Sequence, residues 1–62
     1  MKYYAVVTKL YDNGKVTATM FEDEGDTIPE DKFEECARYD RYEDYVSTEA
    51  EAKRMIADAK CA

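Results

Sequence analysis

Apolar and polar residues alternate along the first third of the chain. From Tyr3 to Leu10 and again from Val16 to Phe21, β-branched and aromatic residues recur at the two-residue period of a half-buried strand. Asp12-Asn13-Gly14 lies between the two runs and reads as a hairpin turn. A three-residue loop sets Leu10 opposite Val16 and Tyr11 opposite Lys15. That register places Tyr4, Val6, Leu10, Val16, Ala18 and Met20 on one face, with Gly14 in the left-handed position of a bulge. The other face then carries Tyr3, Ala5, Val7, Lys9 and Tyr11 beside Lys15, Thr17, Thr19 and Phe21.

The period changes near the end of the chain. Thr48-x-x-Glu51 has the form of a capping box, and Ala52, Met55, Ile56 and Ala59 follow the i, i+3, i+4, i+7 spacing of one buried helical stripe. Glu49, Lys53, Arg54 and Lys60 occupy the polar side, with cations toward the C-terminus where the helix dipole favours them. Packing on the hairpin is the expected use of the stripe, because the apolar face of a two-stranded ribbon needs a cover.

The middle is less regular. Acidic residues with Gly25 and Pro29 mark a solvated loop, and the segment from Phe33 to Val46 fits neither period cleanly. Thr27 and Glu30 resemble a capping box, which favours a helix from Pro29 to Tyr39. Against that, Asp40, Arg41 and Asp44 fall where the helical stripe should continue. As a strand, the segment puts Tyr42 and Val46 on one side and Tyr39 and Tyr45 on the other.

The chain starts MKYYAVVT (Met1 to Thr8), continues with NGKVTA (Asn13 to Ala18) and passes from strand to helix in RYEDYVSTEAEA (Arg41 to Ala52). In these stretches it resembles a group of short uncharacterised proteins carried by bacterial mobile genetic elements. In that group the middle segment is an extended run ending in Asp and two aromatics; Asp44, Tyr45 and Val46 stand there in this chain, so the second aromatic is missing. The resemblance implies a third strand. It implies no catalytic or binding residues.

The resulting expectation is an α+β domain with a three-stranded antiparallel sheet and one C-terminal helix packed on it. The hairpin covers 2–22, an acidic loop 23–32, a third extended segment 33–46 and the helix 49–60.

Composition narrows the possible functions. A chain of 62 residues forms one domain. At this size only about 60% of the unfolded surface is buried, which leaves little room for a deep substrate pocket. The chain has no histidine, so neither Cys36 nor Cys61 has an imidazole to activate it. The two cysteines lack zinc-type spacing, and Asp23, Glu24 and Asp26 miss the ligand spacing of a calcium loop. The expectation is therefore a protein that is not an enzyme, with no cofactor, metal or small-molecule substrate. With no leader-like start or apolar run of membrane length, the sequence reads as cytoplasmic with both thiols reduced.

The net charge is −6, and Glu22, Asp23, Glu24, Asp26, Glu30, Asp31, Glu34 and Glu35 fall within fifteen residues. Such a field repels phosphate backbones and attracts basic protein surfaces. Tyrosine and arginine interleave as RYDRYEDY, a composition favoured at protein interfaces. The candidate interaction residues are accordingly Tyr39, Arg41, Tyr42 and Tyr45, together with Glu22, Asp23, Glu24 and Asp26. The first functional expectation is a small protein-interaction module that binds a protein partner or a second copy of itself. An acidic inhibitor that imitates nucleic-acid phosphates toward a host-defence enzyme is the alternative. A nucleic-acid-binding sheet is the weaker one, because Asp40, Glu43 and Asp44 cancel the local positive charge.

Overall fold

The computed structural model describes residues 1–61, with side chains through Lys60. Strand β1 runs Lys2–Tyr11, β2 Val16–Glu24, β3 Lys32–Glu35 and β4 Tyr39–Val46, and helix α1 covers Glu49–Cys61. The four strands form one antiparallel sheet in the order β2-β1-β4-β3. Two hairpins thus lie side by side, joined through their long inner strands.

The first hairpin follows the alternation in the sequence. Leu10 faces Val16 and Val6 faces Met20, and the Tyr11 amide donates to the Lys15 carbonyl at 2.8 Å. Gly14 adopts φ +88°, and the Asn13 side chain accepts from the Lys15 amide at 3.0 Å. A Cβ at position 14 would meet nothing within 4 Å, so the need for glycine is purely torsional. Gly14→Ala should therefore cost about 1–2 kcal/mol from the left-handed backbone alone. Urea unfolding of the variant measures it, and no loss would mean that the turn had relaxed to another type.

The sheet has four strands where the sequence suggests three. The stretch 33–46 is broken at Cys36, whose amide donates to the Tyr39 carbonyl at 2.9 Å, so that Ala37-Arg38 forms a tight turn between β3 and β4. No helix forms between Pro29 and Tyr39. A two-residue hairpin turn usually carries Gly or Asn at positive φ. Here neither Ala37 nor Arg38 has positive φ, and the turn has none of the residues that ordinarily mark one. It is tied down from a distance instead, by the Asp12 amide donating to the Arg38 carbonyl at 3.1 Å.

Helix α1 begins where the capping box places it. The Thr48 hydroxyl accepts from the Glu51 amide at 3.2 Å, and Lys53 pairs with Glu49 one turn earlier at 3.1 Å. The helix lies mainly against β2 and β1 and less against β4. It covers the even-numbered face, where Val6 is the largest side chain with no exposure and Ala18 is buried. Ala52 of the helix stripe is fully buried, and Met55, Ile56 and Ala59 are half-buried.

A second, smaller packing layer lies on the odd-numbered face. Tyr3 is buried against Tyr45 with ring centroids 5.8 Å apart, and Ala5 is sealed between its register partners Phe21 and Tyr45. The segment 25–31 crosses the end of the sheet from the β2 edge to the β3 edge. It is anchored by reciprocal bonds between Met1 and Gly25 at 2.8 and 3.0 Å, and by Asp31 accepting from the Tyr45 amide at 3.0 Å.

Candidate functional site

Alternation along β4 sorts its side chains. Tyr39, Arg41, Glu43 and Tyr45 share the odd-numbered face, where β1 adds Tyr3, Lys9 and Tyr11. The tyrosines meet as cross-strand pairs: Tyr11 and Tyr39 at 5.2 Å, and Tyr3 and Tyr45 at 5.8 Å. The Lys9 ammonium lies 5.2 Å from the Tyr39 ring centroid, within cation–π range. The result is a row of aromatic rings and cations on a face that α1 does not cover.

Glu43 organises the middle of this row. Its carboxylate accepts from Arg41 Nη2 at 2.8 Å and from the Tyr45 hydroxyl, with Lys32 Nζ 3.9 Å away. The Tyr45 and Arg41 bonds hold its pKa below the usual carboxylate range. The same bond, with burial adding to it, pushes the Tyr45 hydroxyl up to about 12. Arg41 is raised in turn, chiefly by Glu43. Desolvation raises Tyr3, with Asp23 adding to it, and Tyr39 is raised mainly by its neighbour Cys36. These shifts keep Tyr3, Tyr39 and Tyr45 neutral and the Arg41–Glu43 pair charged, so the row presents fixed hydrogen-bonding and cationic groups.

The candidate residues do not form one site. Tyr39, Arg41 and Tyr45 stand together, whereas Tyr42 is on the opposite face, its ring tilted against Phe33 at 4.9 Å between centroids. Of the acids, Glu22 pairs with Lys2 at 3.2 Å. Asp23 accepts from the Glu24 amide at 2.8 Å, and Asp26 is exposed in the crossing segment. Tyr3, Lys9 and Tyr11, which the hairpin register places on this face, and Glu43 join the row although they are not among the candidate interaction residues. Strand parity across 39–45 is the signal that groups Glu43 with its neighbours; the partnership with β1 is a tertiary fact.

At the turn end of the sheet, Tyr11, Asp12, Asn13, Arg38 and Tyr39 line an open cleft of about 540 Å³. It contains no nucleophile paired with a base. Among the described residues, no three metal-capable side chains cluster. Cys36 carries a free thiol 3.6 Å from Glu34 Oε1, while the side chain of Cys61 lies outside the described residues. Among the described residues no helix is long and apolar enough to cross a membrane. No family model, curated protein or solved structure matches the chain.

Proposed function

We propose that the protein is a small, non-enzymatic protein-interaction module that docks a partner protein on the odd-numbered face of its sheet. The supporting observation is the row of paired tyrosines flanked by Lys9 and Arg41 on the face opposite the helix, with Phe21 beside it 48% exposed. Rigid aromatics and arginine are the residues that most often carry interface energy, because they bury large area at small entropic cost. Arg41 is already oriented by Glu43, so little ordering remains to be done on binding.

A second reading rests on the acids. Glu24, Asp26, Glu30, Asp31, Glu34 and Glu35 are all exposed along one end and one edge of the sheet. In that reading they occupy a basic nucleic-acid channel, as the resemblance to proteins of bacterial mobile elements suggests. One capture experiment separates the two. With the native chain as bait in lysate of the producing cells, Tyr39→Ala and Arg41→Ala should each weaken retention of a specific partner by about tenfold or more. If retention survives both variants but collapses on moving from low to high salt, the acidic surface is the docking site instead.

A further inference from the structure

The two outer edges of the sheet are built differently. The β3 edge is four residues long, follows Pro29 closely and carries Lys32, Glu34 and Glu35, all of them features that discourage further strands from adding. The β2 edge is nine residues long, pairs with β1 without a bulge, and is uncharged from Val16 to Phe21. It also exposes its hydrogen-bonding groups in a regular set. Met1 and Gly25 bond reciprocally and Tyr11 bonds Lys15, so the odd-numbered residues of β2 are those bonded inward to β1. The amides and carbonyls of Val16, Ala18, Met20 and Glu22 therefore point outward.

We propose that this edge is the docking site for a second copy of the chain, which pairs with it antiparallel about a twofold axis at Thr19. The two sheets then become one. Charge and side-chain type select this partner and register. An in-register parallel pairing would set Glu22, Asp23 and Glu24 against their own copies. The antiparallel arrangement centred on Thr19 instead sets Lys15 opposite Asp23 at each end, Val16 opposite Glu22, Thr17 opposite Phe21, Ala18 opposite Met20, and Thr19 opposite itself. No like charges face each other. The close, non-bonded pairs are then Lys–Asp, Thr–Phe and Thr–Thr, each a favourable cross-strand combination. The outward groups of Val16, Ala18, Met20 and Glu22 find partners in the other copy, about eight backbone hydrogen bonds in all. Phe21, left half-exposed in one copy, gains Thr17 of the other as a neighbour. This contact shares Phe21 with the docking face but uses none of Tyr39, Arg41 and Tyr45, so either can fail without the other.

Sedimentation equilibrium of the full chain at micromolar to submillimolar concentration should show a dimer. Lys15→Glu should weaken it roughly tenfold, because two attractive pairs become repulsive, and Asp23→Lys should do the same. The double exchange Lys15→Asp with Asp23→Lys should restore association. In a background with both cysteines replaced by serine, Thr19→Cys should give a covalent dimer on mild oxidation, since non-bonded cross-strand pairs bring Cβ atoms within disulfide range. A monomer at the highest concentration overturns the proposal. So does a dimer unaffected by either single charge variant. Far-ultraviolet circular dichroism on each variant separates lost pairing from lost fold.

Discussion

Val6→Ala lowers the thermal midpoint of unfolding by about 8–16 °C. Val6 has no exposed surface, lies in the central pair of strands and is the largest fully buried side chain. Removing two methyl groups costs about 2 kcal/mol in transfer and cavity terms together. Each kcal/mol shifts the midpoint of so small a domain by about 4–8 °C. Total stability for 62 residues is roughly 3–9 kcal/mol, so this one change removes a large share. Phe33→Ala is the contrasting substitution. Phe33 is 57% exposed on the short β3 edge, and losing its tilted ring contact with Tyr42 should cost about 1 kcal/mol or less. If calorimetry gave equal shifts for the two variants, the core would not lie beneath the helix.

Glu43→Gln destabilises the fold by about 1.5–3 kcal/mol at neutral pH, and the effect disappears in acid. The Glu43 carboxylate is 12% exposed and accepts from both Arg41 and Tyr45, whereas an amide has one acceptor oxygen and turns a donor toward the other partner. Because folding lowers the pKa of Glu43, its contribution is present above the unfolded carboxyl value of about 4.3 and is lost as pH falls through the folded value. Asp44, on the opposite face, behaves in the reverse sense. Burial raises its pKa, with Asp31 adding to it, so it favours the folded state below about pH 3.9 and opposes it as pH rises through the folded value. Asp44→Asn should therefore stabilise the protein at pH 7. Tyr45, raised to about 12, adds a contribution that is present below the unfolded value of about 10 and lost between there and pH 12. Urea titrations of the three single variants Glu43→Gln, Asp44→Asn and Tyr45→Phe across acid, neutral and alkaline pH separate these limbs. A pH-independent Glu43→Gln penalty would mean that Glu43 acts through its volume and not its charge.

All three pH-sensitive groups sit on β4, the strand whose limits were hardest to see. The β1–β2 hairpin was legible because local chemistry enforces it: Gly14 accepts a backbone angle that other residues resist, and alternation then sets every pair from Leu10–Val16 outward. The helix was legible for a similar reason, since Thr48 caps it and its apolar stripe has one period.

Other features were settled only by residues far apart in sequence. The break between β3 and β4 has no glycine, asparagine or proline to mark it. At the break the Asp12 amide of the other hairpin bonds the Arg38 carbonyl, and at the open end of the β3–β4 pair Asp31 accepts from the Tyr45 amide. The interaction row depends on the same long-range pairing. Tyr39 and Tyr45 acquire their partners Tyr11 and Tyr3 only when β4 docks on β1, a strand nearly thirty residues away in the chain at its nearest end. Local torsions and periodicity specify which elements form, because those preferences act over a few bonds. Which strands adjoin, which face receives the helix and which tyrosines meet are set by competition between distant surfaces for a small core, and a single chain read in order contains no term for that.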